Sequence, residues 1–166
     1  MSRFFPIFAS ALIALSTLFA SDIASASVLK KHLTLSNCAD NQICVARIQW
    51  DYSQDGGAID TFDVATAGQG IVIQNFWVKT LTTLTSAGVP VLTAGVTGQE
   101  TRFLPGNGIG QFTATSPVLF PPLIEGTPNV LGVPYPLPAA DKIRFAITIA
   151  ALTAGKVEFV IQYFKP

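Results

Sequence analysis

Few residues in this sequence are equipped for chemistry, and their spacing decides what they can do. Cys38 and Cys44 bracket the small polar loop Ala-Asp-Asn-Gln-Ile. In an oxidising compartment a pair at this spacing most simply closes one local disulfide. A zinc site needs four ligands, and the chain's one histidine is His32, so no metal is expected. A redox role needs the closer C-x-x-C arrangement. Asp51, Ser53, Asp55 and Gly56 echo the start of a calcium loop. The echo fails at the far end, where Phe62 stands in place of a bidentate glutamate, and a turn explains these residues better. Asp60 and Asp63 are three apart in a strand-like run, so they point to opposite faces and make a poor carboxylate pair. The glycine-rich run 106–110 does not join a strand to a helix and reads as a turn, not a phosphate cradle. Trp50 and Trp77 could stack on sugars, but each sits in a strand pattern that favours core packing. No base, nucleophile and orienting group can be assembled from these residues, so a non-enzymatic protein without a cofactor is expected.

The elements that must position these residues are strands. Residues 142–164 alternate twice: Ile143, Phe145, Ile147 and Ile149, then Val157, Phe159, Ile161 and Tyr163, fall on one side of polar neighbours. Ala150 to Gly155 supplies turn residues, so the two runs read as a β-hairpin. Residues 45–53 alternate likewise, with Ala46, Ile48, Trp50 and Tyr52 on one face. The Gln-Asp-Gly-Gly run and residues 58–64 complete what reads as a second hairpin. Residues 71–84 are rich in β-branched and aromatic side chains; their second half, from Lys79, is expected to bend or pair elsewhere. A strand is expected at 91–96 and a weaker one at 98–103, residues 27–36 read as an edge strand or arm, and no helix is expected.

The segment 102–138 differs. It holds Pro105, Pro117, Pro121, Pro122, Pro128, Pro134, Pro136 and Pro138, which exclude long central strands. It is nevertheless apolar, so it either folds back as a lid on its own core or meets a partner; on the second reading Phe120, Leu123, Ile124 and Tyr135 are the candidate interface residues, with Phe120 and Tyr135 as aromatic anchors.

Composition bounds the rest. The chain has 166 residues, formal net charge +0, 49% hydrophobic residues and 12% charged ones. Zero net charge argues against a nucleic-acid partner. Sparse charge gives weak colloidal repulsion and suits a subunit of an assembly, a homo-oligomer or a mixed one. Arg3, an apolar run and Ala24-Ser25-Ala26 read as a secretory signal over residues 1–26, with an uncleaved membrane anchor as the alternative. Residues 27–44 follow as an N-terminal arm with the disulfide loop, and residues 45–166 as the folded domain.

Three runs carry a resemblance. YSQDGGA at 52–58, LTTLTSA at 81–87 and ALTAGKVEFVIQY at 151–163 occur in this order and resemble a family of small bacteriophage and prophage virion structural proteins. The resemblance spans nearly everything after the signal. It implies a virion-associated β-sandwich of the jelly-roll or fibre-domain sort, and it brings no catalytic residues. The export signal and the proline density of 117–138 depart from the family pattern.

The expectation is therefore an all-β, single-domain antiparallel β-sandwich, jelly-roll-like, with a hairpin at each end. The leading function is a structural subunit of a phage-related virion or exported assembly, such as a capsid, decoration or fibre-like protein. The alternative is a secreted carbohydrate- or surface-binding module.

Overall fold

The computed structural model describes residues 27–36, 38–114 and 134–166. The signal expected at 1–26 and the candidates Phe120, Leu123 and Ile124 lie outside the described residues.

Nine strands occur among the described residues: β1 Ser27–Leu35, β2 Ile43–Asp51, β3 Asp60–Ala67, β4 Ile71–Ser86, β5 Val91–Val96, β6 Gln99–Gly108, β7 Tyr135–Leu137, β8 Lys142–Thr148 and β9 Leu152–Phe164. One helical turn, α1 Tyr52–Asp55, follows β2, and a 3-10 turn, Ile109–Gln111, follows β6. The strands form two sheets, in the orders β1-β3-β8-β5-β6 and β2-β9-β4-β7. All pairings are antiparallel except that of β1 with β3. The chain is an all-β sandwich, as the alternating patterns require.

Both expected hairpins are absent. β8 pairs with β3 and β5, whereas β9 pairs with β2 and β4 in the other sheet. Likewise β2 and β3 lie in different sheets, with α1 between them. Each short connection is an arch across the sandwich. At 148–152 the chain turns sharply: the Ala150 amide donates to the Thr148 carbonyl at 2.8 Å, and Ile149 takes φ 71°. Ile149 is 72% exposed at this corner, although the alternation had put it on the buried face of the strand.

An arch sets the apolar faces of consecutive strands against one another. Phe145 of β8 and Phe159 of β9 lie 5.1 Å apart between ring centroids, and Trp50 of β2 meets Phe145 edge-on at 5.9 Å. Phe76, Phe103 and Phe159 extend this aromatic core. Phe145, Ile147, Phe159 and Ile161 are fully buried, as expected.

β4 is longer than expected and does not change to another partner in its second half. It stays on β9 from Val72 to Ser86, and its threonine-rich half is accommodated by register shifts at Thr80–Thr82, Thr82–Thr85 and Thr85–Ser86. β6 runs through Pro105, which is permitted because β6 is an edge strand. β1 is the opposite edge of the same sheet and anchors through Leu29 and Leu35.

One buried charge was not legible in the sequence. Asp63 is 1% exposed and accepts from Lys142 Nζ at 2.5 Å and Arg144 Nε at 3.1 Å. Two cations compensate the desolvated carboxylate, tying β3 to β8 on the outer face of the five-stranded sheet.

Candidate functional site

Cys38 and Cys44 form a disulfide, with 5.8 Å between their Cα atoms. The loop they close is held to the C-terminal end of β9: Lys165 Nζ meets Asp40 at 2.6 Å, and the Asn41 amide donates to the Lys165 carbonyl at 3.0 Å. So short a loop removes little chain entropy. Reduction, or the pair Cys38→Ser with Cys44→Ser, is expected to cost about 2–3 kcal/mol. Urea unfolding with and without reductant measures it; an unchanged midpoint would contradict this.

The calcium-like run is a capped turn. The Asp51 carboxylate accepts from the Ser53 amide at 3.0 Å and its hydroxyl at 2.7 Å, while Asp55 accepts from the Asp51 and Lys30 amides. These oxygens are committed to the fold, and no group of three metal-ligating side chains occurs among the described residues. Beside the turn, Lys30, Lys31, Gln49, Asp51, Gln54 and Asp55 line a polar cleft of about 270 Å³. Its groups hydrogen-bond one another: Lys30 Nζ to Gln54 and Lys31 Nζ to Gln49.

The Lys156 ammonium, 2.7 Å from Asp51, and then the Ser53 hydroxyl hold the Asp51 carboxyl down at about 2. A depressed carboxylate stabilises the fold above its ordinary pKa near 4, and that contribution is lost as pH falls through about 2. Asp51 is partly exposed, so Asp51→Asn, which can keep the cap, is expected to cost only about 1 kcal/mol at pH 7. The difference from wild type should vanish near pH 2 in urea titrations. A pH-independent difference would contradict the ion-pair origin.

The two tryptophans have separate environments. Trp50 is fully buried in the core, and its indole N–H has no partner among the described residues. Trp77 is part-buried on the outer face of the four-stranded sheet. Tyr135, the one interface candidate among the described residues, is part-buried at the start of β7. Its ring meets Phe103 edge-on at 6.1 Å and lies under the Arg102 guanidinium at 4.2 Å. It therefore closes the side of the sandwich between β6 and β7.

The surface feature missed in the sequence is the outer face of β2-β9-β4-β7. Register places Ile43, Phe164, Val72 and Pro136 in one row across all four strands. The next row is Val45, Gln162 and Asn75, and the third is Arg47, Val160 and Trp77. Ile43 is 61% exposed and Val45 55%. Asn75 hydrogen-bonds Gln162, and Arg47 meets Glu158 at 3.0 Å. The clue in the sequence was apolar residues on the nominally polar side of the strands, namely Ile43, Val45, Val160 and Phe164.

No protein-family model and no curated protein matches this chain. Among solved structures, a chain of the cyanophage Pam1 capsid asymmetric unit is similar, with a TM-score of 0.53 and 18% sequence identity. The alignment covers 75% of this chain and 85% of that chain. At this identity the likeness is one of fold, and it spans most of both chains: the sandwich as a whole resembles one found in a phage capsid.

Proposed function

We propose that this chain is a non-enzymatic structural subunit of a phage-related virion or of an exported assembly, with a jelly-roll sandwich as its body. The jelly-roll reading is supported by the strand order. β2-β9-β4-β7 packs on β3-β8-β5-β6, and every connection except β5–β6 changes sheet. The observation that carries the assembly reading is the apolar row Ile43, Phe164, Val72 and Pro136, lying on the solvent side of a sheet whose inner face already fills the core. Contiguous apolar surface of this kind marks contact with other molecules. The capsid likeness and the sparse charge agree with it. The disulfide suits a virion or a location outside the cytoplasm. The partners are copies of itself or other assembly subunits; neither nucleic acid nor a cofactor is part of the reading, and a membrane enters only through a retained N-terminal segment.

A secreted carbohydrate- or surface-binding module is the second reading, and Trp77 on the outer face is the observation that favours it. Peptide mass spectrometry of particles sedimented from cells that make the protein separates the two. A structural subunit is recovered in the particles in amounts comparable to other shell proteins. Recovery solely as free protein, retained on a polysaccharide array, would overturn the assembly reading in favour of the binding module.

A further inference from the structure

The edges of the two sheets differ in how they are protected, and the difference singles out β2. We propose that β2 is an open docking edge, and that a second copy of this chain pairs its own β2 with it, antiparallel about a two-fold axis, so that the two four-stranded sheets become continuous. This deepens the assembly reading and rests on it.

A sheet edge carries a row of unpaired amides and carbonyls, and folded proteins ordinarily blunt it against pairing. Three edges here are blunted. β1 runs parallel to β3, and its register breaks between Val28 and Leu33. β6 contains Pro105 and shifts register twice against β5. β7 has three residues, with Pro136 at its centre. β2 has none of these devices. Its nine residues contain neither proline nor glycine, and they pair with β9 from Ile43 to Asp51 without a shift. Among the described residues no strand pairs with its other side.

One hydrogen bond shows which groups face outward. The Asp51 amide donates to the Asp55 carboxylate at 2.9 Å, so it points away from β9. In an antiparallel ladder that direction recurs at every second residue. The amides and carbonyls of Ile43, Val45, Arg47 and Gln49 therefore lie on the open side. The open run is bounded at one end by α1 and at the other by the Cys38–Cys44 loop, where Asn41 takes φ 60°.

Only an extended strand satisfies such a row, because each outward residue needs an amide and a carbonyl in return. The strand a second copy can bring is β2, since its other edges are blunted in the same way. A strand meeting itself about a two-fold axis is antiparallel, and the contact closes on itself. The sequence then selects the register. Centred on Ala46, all the open-side residues are engaged: Val45 faces the second copy's Arg47, Ile43 faces its Gln49, and about eight backbone hydrogen bonds form. The small Ala46 meets its own copy at the close, non-hydrogen-bonded position. Centred on Arg47, the two guanidinium groups would face one another. Centred on Val45, Gln49 would fall opposite Asn41, outside the strand. Arg47 keeps its own Glu158 at 3.0 Å, so the pairing strands no charge. Directional backbone bonds supply the specificity and side chains add little, so isolated copies associate weakly.

Residue-resolved amide hydrogen exchange on the exported protein, at about 50 μM and about 1 mM, tests this. At the lower concentration Val45, Arg47 and Gln49 are expected to exchange fast, and Cys44, Ala46 and Ile48, whose amides face β9, slowly. At the higher concentration the first set is expected to slow, and sedimentation equilibrium to show a monomer–dimer equilibrium. Val45→Pro removes an open-side amide and is expected to weaken association roughly tenfold or more while the β9 ladder persists. Val45→Lys puts a cation opposite the second copy's Arg47 and is expected to weaken it as well; it carries the test if the proline variant unfolds. Val89→Lys, at an exposed position between β4 and β5, is the control and should associate as wild type does. Fast exchange at Val45 and Arg47 at both concentrations would overturn the proposal. So would slow exchange in a protein that sediments as a monomer, because the edge would then be covered within one copy, and so would association that the Val45 variants leave intact. Each of these results leaves the assembly reading to particle recovery, which reads whether the chain is in a shell and not how its copies meet.

Discussion

Phe159→Ala is expected to destabilise the protein by about 3–5 kcal/mol, among the largest effects of any single truncation here. Phe159 is fully buried at the middle of β9, the strand that joins both halves of its sheet. Its ring lies 5.1 Å from Phe145 of the opposite sheet and 6.1 Å from Phe76 of its own. Removing it opens a cavity between the sheets that stiff β-branched neighbours such as Val157 and Ile161 cannot fill. Thermal unfolding should show a drop of roughly 10–20 °C, given the size of the domain. A wild-type melting temperature would mean that the core does not lie between these two sheets.

Gly155→Ala is the second large effect, expected at about 3–5 kcal/mol from backbone strain and overpacking together. Gly155 lies inside β9, at φ 122°, a conformation open to glycine and hostile to side chains. A Cβ there would come within 2.4 Å of Leu84 Cδ2, 2.8 Å of Leu84 Cα and 2.9 Å of the Thr83 carbonyl oxygen. Two of those three atoms are backbone, so β4 itself would have to move. Equilibrium unfolding in urea reads the loss. Gly98→Ala is the comparison, because Gly98 also has positive φ (78°) but nothing within 4 Å of an added Cβ. It should cost much less. Equal losses at the two positions would show that the close approach of β4 and β9 is not what requires glycine at 155.

Gly155 also shows how far the sequence could be read. Its type and its place between two alternating runs were those of a hairpin turn, and it is instead the point where β9 passes under the irregular half of β4. Alternation correctly assigned the faces of Phe145, Ile147, Phe159 and Ile161, which are core, but failed at the strand ends, where Ile149 and Tyr52 are exposed. It could not assign the partners. A hairpin puts two apolar faces side by side in one sheet, and an arch puts the same two faces opposite one another. The period-2 pattern is identical in both. What decides between them is the corner at Thr148–Ala150 and the competition from distant strands, β2 and β4 for β9, and β3 and β5 for β8. The same holds for Asp63, whose partners Lys142 and Arg144 are 79 and 81 residues away. The turn at Asp51–Asp55 was legible because its causes are local, a side-chain oxygen meeting an amide two to four residues off.

The candidate site was legible only in part. Apolar surface in excess of the core was expected, and was sought in the proline-rich segment at Phe120, Leu123 and Ile124, which lie outside the described residues. Among the described residues, the excess is on the outer face of β2-β9-β4-β7. It was hidden because β9 carries apolar residues on both sides, Val160 and Phe164 outward and Val157, Phe159, Ile161 and Tyr163 inward, so that one face's signal masked the other's.

The most direct measurement of the central claim is a reconstruction by electron cryomicroscopy of particles from cells that make this protein. A structural subunit is expected to appear as symmetry-related copies of the two-sheet sandwich, with the Ile43, Val72 and Phe164 face turned away from solvent. Well-resolved particles in which no density accepts this sandwich would contradict the account.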